Sequence, residues 1–281
     1  MRHVKTLFAC LLVVAALAVA GAVMTLADAT PAQQPAPQVF EAPSEIRVSQ
    51  VLTPEAYLPL VFKGYFIAFD YFDGFGDLSS GWPYGTNPFG YGYLTDSDGS
   101  KTYFLKVDQE YEMGWVTAPR EAPGNFDLEV AGRRINMPKY WYDEYGIFIS
   151  PTPIDPQNPS GSGVYTLIVE LKVGEQPSYA VHKWDSLNRN NRAELVKREE
   201  QVYITQVAKV WNYFRIKRRG DTVEFWVARQ NQSGEELATT VTDSSLPGIL
   251  YFGLYAQHSK DDQGYYAIEF QYDYVDLSAW P

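Results

Sequence analysis

Apolar and polar residues alternate with a period of two along much of the chain after residue 64. The pattern is clearest in segments 125–130, 213–217 and 223–227. Such alternation is typical of β-strands with one buried face and one solvated face. Gly220 and Asp221 lie between the second and third segments, and a Gly-Asp pair between two alternating runs predicts a β-hairpin.

Further segments have the composition of strands, and clusters of Gly, Pro, Asn and Asp separate them. They are residues 65–72, 101–107, 145–150, 165–173, 178–184, 249–257 and 265–276. Residues 192–201 are charged on all sides, and we interpret them as a long loop with a short strand. No window keeps a helical period of 3.6 residues. About ten strands over residues 64–281 predict an all-β chain, with one large two-sheet antiparallel β-sandwich around an aromatic core.

The N-terminus has the pattern of a secretory segment. Residues 7–27 are apolar and uncharged, Arg2 and Lys5 precede them, and residues 27–29 have the small-x-small pattern of a cleavage site. This predicts a signal peptide over residues 1–29. The run is also long enough to span a bilayer, so an uncleaved signal anchor is the alternative. Both interpretations place the rest of the chain outside the cytoplasm, with membrane contact only through residues 7–27 if they stay attached.

A spacer follows the secretory segment. Residues 30–48 hold four prolines, which predicts an extended, semi-rigid linker. Residues 57–63, with the sequence YLPLVFK, are interpreted as an edge strand or a docked arm. The predicted organisation is therefore a signal peptide or anchor at 1–29, a Pro-rich linker and docking arm at 30–63, and the sandwich at 64–281.

The amino-acid composition limits the kinds of ligand and partner that the chain is expected to bind. The chain has 281 residues, with 23 Lys plus Arg against 34 Asp plus Glu and a formal charge of −11. A nucleic-acid partner is not expected, because phosphate contacts need clustered basic residues. Aromatic residues make up 15% of the chain. The single cysteine, Cys10, lies in the N-terminal apolar run, so no disulfide or thiolate metal site is expected after residue 29.

An ordered series of short motifs resembles the concanavalin A-like lectin/glucanase domains, in particular their laminin-G-like and 3-keto-disaccharide-hydrolase-like branches. The motifs are an aromatic–Asp segment at 69–72, a Gly-Trp-Pro turn at 81–83, an alternating strand at 125–130 and a closing strand at 270–277. The resemblance covers about residues 64–277 and implies a jelly-roll fold. It does not by itself imply an activity.

Catalytic residues are not indicated by the sequence. Glucanases of this superfamily carry a Glu-x-Asp-x-x-Glu stretch on one strand, and this chain has no match to it. Asp127 and Glu129 share one strand face without a third carboxylate, and a solvated face explains them. His182 and His258 are isolated and lack the ligand spacing of a zinc site. No nucleophile elbow supports a Ser-His-Asp triad.

Calcium is the metal that the resemblance implies, although none is required. In related jelly rolls, an aspartate on the closing strand, next to the N-terminal strand, contributes to a structural calcium site. Asp273 would match this position, with Asp70 or Asp73 as neighbours across the sheet. Calcium takes oxygen ligands, and an acidic chain without disulfides gains stability by binding it.

The aromatic residues indicate a sugar site, because the apolar C–H faces of sugars stack on aromatic rings. Alternation places Trp226 and Glu224 on the face of their strand opposite to Val223, Phe225 and Val227, and so on the outside. Trp141 and Tyr142 form a second cluster near a strand start, where binding loops of sandwiches lie.

Three functions follow from these patterns. The first is an extracytoplasmic, lectin-like module without catalytic activity that binds polysaccharide at the cell surface. The alternative is a structural or adhesive envelope protein that acts through protein–protein contacts, because exposed aromatic residues also mark protein-binding surfaces. A glycoside-active hydrolase is the less favoured third hypothesis.

Overall fold

The computed structural model describes residues 69–280, apart from 87, 97, 109–111, 137–141, 173, 200–201, 232 and 260–266. The predicted signal segment at 1–29 and the linker and arm at 30–63 lie outside the described residues. Within the described ranges, no helix is long and apolar enough to cross a bilayer.

The described chain is built from antiparallel strands and two short 3-10 turns, at Leu78–Ser80 and Arg189–Asn191. The strands are β1 (Phe69–Asp73), β2 (Gly90–Thr95), β3 (Lys101–Val107), β4 (Met113–Ala122), β5 (Asn125–Arg134), β6 (Tyr142–Ser150), β7 (Val164–Lys172), β8 (Ser178–Trp184), β9 (Arg192–Glu199), β10 (Asn212–Arg219), β11 (Thr222–Arg229), β12 (Glu236–Thr242), β13 (Leu250–Ser259) and β14 (Ile268–Trp280).

These strands form two sheets. The eight-stranded sheet has the order β12-β11-β10-β5-β14-β3-β2, with β1 also paired to β14. The six-stranded sheet has the order β4-β13-β6-β7-β8-β9. All of these pairings are antiparallel, and the predicted all-β, two-sheet antiparallel sandwich is confirmed.

Aromatic side chains join the two sheets. Tyr145 of β6 stacks on Phe270 of β14, with ring centres 5.0 Å apart, and meets the edge of Phe214 of β10 at 5.6 Å. All three rings are fully buried. Offset and edge-on ring pairs of this kind add about 0.5–1.5 kcal/mol beyond burial of their area. The high aromatic content is thus explained in large part by the core.

The predicted hairpin is confirmed, because β10 and β11 pair on either side of Gly220 and Asp221. Gly220 has a φ of 58°, in the left-handed region that glycine tolerates best. Three strands lie outside the predicted strand segments, β2, β4 and β12, and β9 fills most of the segment interpreted as a long loop with a short strand. β2, β4, β9 and β12 are the outermost strands of the two sheet orders, where one flank needs no partner and the sequence pattern is weak.

A second link between the sheets forms at Asp243, directly after β12. Its carboxylate accepts hydrogen bonds from the Tyr165 hydroxyl at 2.5 Å and the Lys183 ammonium at 2.8 Å, both on the opposite sheet. The backbone N–H and hydroxyl of Ser245 donate to its second oxygen. The hydrogen bond from Lys183, followed by those from Ser245 and Tyr165, holds the pKa of Asp243 well below its usual value.

We expect Asp243→Asn to lower the free energy of unfolding at pH 7 by about 1–2 kcal/mol. Folded Asp243 stays ionised at a pH where the unfolded chain already binds a proton. Its stabilisation is therefore complete above about pH 4 and is lost as the pH falls. Urea unfolding at pH 7 and near pH 3 should show the difference from wild type shrinking on the acid side. The exposed Asp276→Asn is the matched control, and an equal difference at both pH values would contradict this account.

Candidate functional site

Trp226 and Glu224 lie on the outer face of the eight-stranded sheet. Val223, Phe225 and Val227 of the same strand are buried in the core, as the alternation predicts. The Trp226 indole N–H donates to Glu224 at 3.2 Å, and the Lys217 ammonium lies 5.0 Å from the centre of the indole ring. Both the polar edge and one face of this ring are therefore already in use.

The second predicted cluster lies elsewhere. Tyr142 begins β6 on the six-stranded sheet, so the structure does not bring it together with Trp226. Its hydroxyl donates to Glu144 at 2.8 Å, and the Arg189 guanidinium lies 5.7 Å from its ring centre. Trp141 lies outside the described residues. Tyr142 and the Trp226–Glu224 pair therefore lie on different sheets, as two separate candidate positions.

The three aspartates predicted for calcium occupy different environments. Asp70 is exposed. Asp73 is buried, and it accepts hydrogen bonds from the Phe75 backbone N–H at 2.7 Å and the Tyr71 hydroxyl at 3.0 Å. Partial burial raises the pKa of Asp273. Within the described ranges these residues do not form a compact ligand group, so calcium at this position stays a prediction.

An open aromatic groove lies beside edge strand β2. It has a volume of about 400 Å³. Its walls are aromatic and aliphatic side chains: Leu78, Tyr84, Tyr91, Tyr93 and Phe104. Tyr84 is 76% exposed, the highest value among the large hydrophobic side chains in the described part of the chain, and Leu78 is 68% exposed. A ring so poorly covered by its own protein is available to a ligand.

The residues on either side of Tyr84 are hydrogen-bonded to β2. Trp82, two residues earlier, is buried, and its backbone N–H donates to the Tyr93 hydroxyl at 3.0 Å. On the other side, Gly85 and Tyr91 exchange two backbone hydrogen bonds of 2.9 Å. Tyr84 packs closely over Gly92 of β2, because a Cβ added to Gly92 would lie only 3.2 Å from the Cβ of Tyr84. The segment that carries the exposed ring is thereby fixed to the sheet.

The outer face of the six-stranded sheet carries a buried cluster of polar and aromatic residues. Glu144 accepts two hydrogen bonds from the Arg192 guanidinium, at 2.6 and 2.7 Å, and further ones from the hydroxyls of Tyr142 and Tyr255. Burial alone would raise the pKa of Glu144, but the hydrogen bonds and charge of Arg192 outweigh burial and lower it. Trp184 packs nearby and lies 5.3 Å below the Arg192 guanidinium.

Glu170 lies directly opposite Glu144, on β7. Burial and the charge of Glu144 raise its pKa, although Lys197 and Ser178 contact its carboxylate. Both carboxylates are buried and each already has its own cation. Two carboxylates engaged in this way do not form an open acid/base pair for glycoside hydrolysis.

The two histidines of the sandwich have different surroundings. His258 pairs inside the sandwich with Asp143, at 2.7 Å, and Asp143 in turn lies 3.4 Å from Arg134 on the opposite sheet. His182 lies on the outer face of β8, 4.0 Å from a carboxylate oxygen of Glu170 and 4.0 Å from one of Glu194. Burial, followed by the charge of Arg192, lowers the pKa of His182 to about 4.

The sequence patterns did not indicate the aromatic groove or the Glu170–His182–Glu194 cluster. Tyr84 directly follows the Gly-Trp-Pro turn, which served only as a motif of the family resemblance and did not indicate an exposed aromatic residue after it. His182 lies in a segment interpreted as a strand, and Glu194 lies in the segment interpreted as a long loop with a short strand. The signal for their meeting is the pairing of β8 with β9, which a single sequence does not give.

No family model matches the chain, and no curated protein matches it. Among solved structures, the lectin UEA-II complexed with galactose aligns with 75% of this chain and 98% of its own, with a TM-score of 0.49 and 10% identity. Peanut lectin bound to a nine-residue peptide aligns with 77% and 99%, with a TM-score of 0.49 and 14% identity. The kappa-carrageenase from Pseudoalteromonas carrageenovora with a bound tetrasaccharide aligns with 80% and 100%, with a TM-score of 0.46 and 10% identity.

With TM-scores below 0.5 and identities of 14% or less, these similarities carry no conclusion about the family or function of this chain. The described residues form a two-sheet antiparallel β-sandwich, which the sequence predicted.

Proposed function

We propose that the chain is an extracytoplasmic carbohydrate-binding module and that the aromatic groove beside β2 binds the sugar. The observation that carries the proposal is Tyr84, which is 76% exposed and fixed beside an open groove of about 400 Å³. Volumes of about 300–1,000 Å³ are typical of small-molecule sites. Aromatic rings form most of the groove's walls, and their apolar faces suit the C–H faces of sugar rings.

Polar groups for the sugar hydroxyls come from the edge of the sheet. β2 is the outermost strand, so the backbone groups on its free side point away from β3. Gly85 already pairs with the backbone N–H and C=O of Tyr91, and Thr86 is a polar residue among those that line the groove. A few polar groups around stacked rings give orientation, while the rings supply most of the contact area.

The Trp226 face suits this role less well. Its ring already carries the Lys217 ammonium on one face and its N–H is bonded to Glu224, so a sugar would first have to displace both. The extracytoplasmic location is supported by the apolar segment at residues 7–27 and its basic flank. Glu144 and Glu170 are buried and each has its own cation, so this pair gives no support to hydrolysis.

We expect Tyr84→Ala to weaken polysaccharide binding at least about tenfold, which corresponds to about 1.4 kcal/mol of lost stacking. The experiment measures binding isotherms of the full chain on a panel of soluble and insoluble polysaccharides, followed by the variant on each glycan that binds. Phe72→Ala is the matched control, since Phe72 is also an exposed aromatic residue, at 67%, and lies on β1 away from the groove. Phe72→Ala should change the affinity less than twofold.

Trp226→Ala distinguishes the groove from the face predicted by the sequence. We expect this variant to bind like wild type. Loss of binding in Trp226→Ala together with normal binding in Tyr84→Ala would place the sugar on the outer face of the eight-stranded sheet. No saturable binding to any glycan would contradict the proposed function and favour the structural, envelope role.

A further inference from the structure

Three side chains with metal-binding atoms converge on the outer face of the six-stranded sheet. They are Glu170 of β7, His182 of β8 and Glu194 of β9, and one potential ligand atom from each lies within 4.8 Å of the other two. Within the described ranges, this is the only group of three or more His, Cys, Asp or Glu residues with that property. We propose that it binds a transition-metal dication of the Zn²⁺ type.

A β-bulge in β9 brings Glu194 to this face. Val181 pairs with Val196, but His182 pairs with Glu194, so Leu195 is an extra residue on β9. Residues three apart on a regular strand point to opposite faces. The extra residue places Glu194 and Lys197 on the same face as His182. Bulges frequently re-aim side chains at functional sites, and this one completes the ligand set.

The imidazole of His182 gives independent support. The side chain is almost fully buried, and within the described chain its Nδ1 has no hydrogen-bond partner. Its Nε2 lies 4.0 Å from a Glu170 oxygen and 4.0 Å from a Glu194 oxygen, which is too far for a hydrogen bond. In the described chain the imidazole therefore makes no hydrogen bond through either nitrogen, and its Nε2 points at two carboxylates. An ion between Nε2 and the two carboxylates would give Nε2 a partner, whereas Nδ1 would still have none.

The donor set selects the ion. One imidazole and two carboxylates suit Zn²⁺ and similar metals, whereas Ca²⁺ takes six to eight oxygen ligands. Ligand atoms around tetrahedral Zn²⁺ lie about 3.3 Å apart. Nε2 and each carboxylate oxygen, at 4.0 Å, therefore have to approach by roughly 0.7 Å, and the two oxygens, which lie within 4.8 Å of each other, by up to about 1.5 Å. Glu194 is free to make this movement because its side chain is 53% exposed. Three protein ligands leave a fourth position for water or another oxygen donor.

Two cationic side chains, Lys197 and Arg192, lie close to the proposed site, and their charges repel a metal ion. The Lys197 ammonium contacts Glu170 through Oε2, whereas Nε2 of His182 faces Oε1. Lys197 is 40% exposed, so it can turn into solvent when a dication arrives. Arg192 is held by Glu144 and keeps its own counter-charge. The two carboxylates of the site balance the charge of one dication.

The test is a titration of the full chain, freed of metal by a chelator, with ZnCl₂ followed by calorimetry. Co²⁺ absorbance serves as a second readout of the coordination. We expect one ion per chain with a micromolar or tighter Kd, and at least about tenfold weaker binding in His182→Gln and in Glu194→Gln. Glu199→Gln removes another exposed acid from β9 and should bind like wild type. CaCl₂ should not compete at equal concentration.

Glu194→Gln keeps the test decisive if His182→Gln fails to fold, because Glu194 lies on the surface of an outer strand. Its folding is checked by thermal melting before the titration. Absence of saturable Zn²⁺ binding to the wild-type chain would overturn the proposal. Binding of undiminished affinity in Glu194→Gln would overturn it equally. Neither result bears on sugar binding at Tyr84, so the two proposals fail separately.

Discussion

Replacing Arg192 by methionine is expected to lower the free energy of unfolding by about 3–5 kcal/mol, because it leaves a buried carboxylate without its cation. Glu144 is fully buried, and Arg192 donates to both of its oxygens at 2.6 and 2.7 Å. The hydroxyls of Tyr142 and Tyr255 complete its shell but carry no charge. Urea unfolding at pH 7, analysed for both midpoint and slope, measures the loss.

The eight-stranded sheet offers a matched control. Arg215 donates to both oxygens of Asp127, each at 2.7 Å, in the same bidentate geometry but nearer to solvent. Arg215 also donates to Glu235 at 2.7 Å, and all three side chains are only partly buried. Arg215→Met should therefore lower stability less, by about 1 kcal/mol, because water screens a partly exposed ion pair. The double variant Glu144→Gln, Arg192→Met should recover part of the loss. Equal losses for Arg192→Met and Arg215→Met would show that burial does not set the strength of the Glu144 pair.

Gly146→Ala is expected to destabilise the sandwich by more than about 4 kcal/mol or to prevent folding. Gly146 lies in the middle of β6, and an added Cβ would lie 2.1 Å from the Leu167 carbonyl oxygen and 2.9 Å from the Ile168 Cα of β7. Both atoms belong to the backbone of a central strand, so neither can rotate away. β6 and β7 would have to separate and lose pairing in the centre of the six-stranded sheet.

The measurement for Gly146→Ala is the melting temperature by circular dichroism, together with the yield of soluble chain. Gly76→Ala is the control, since an added Cβ there meets nothing within 4 Å. We expect Gly76→Ala to unfold within a few degrees of wild type. A Gly146→Ala chain that melts like Gly76→Ala would contradict the packing of β6 against β7.

The fold could be predicted because its central strands bury one face each. β10 and β11 alternate cleanly, with Phe214, Ile216, Val223 and Phe225 in the core, and a Gly-Asp turn separates them. β9 is predicted only as a short strand within a long loop, because its residues are charged on both faces and an outer strand buries little. β4 contains Pro119, which interrupts an otherwise strand-like run.

The candidate sites were harder to predict than the fold. The orientation of Trp226 follows from alternation on one strand, but Lys217 on its ring comes from the neighbouring strand. The exposure of Tyr84 depends on how residues 82–85 attach to β2. His182 and Glu194 meet only because β9 carries an extra residue. Each of these facts belongs to strand pairing, which periodicity does not encode.

Sugar binding in the groove beside β2 can be measured by ¹⁹F NMR of the full chain labelled with 3-fluorotyrosine. The signal of Tyr84 is assigned by its loss in Tyr84→Phe. Titration with a soluble fragment of a glycan that binds in the panel should shift this signal saturably. The signal of Tyr251, a tyrosine on β13 of the other sheet, should stay in place. A bound glycan that leaves the Tyr84 signal unchanged would contradict the account.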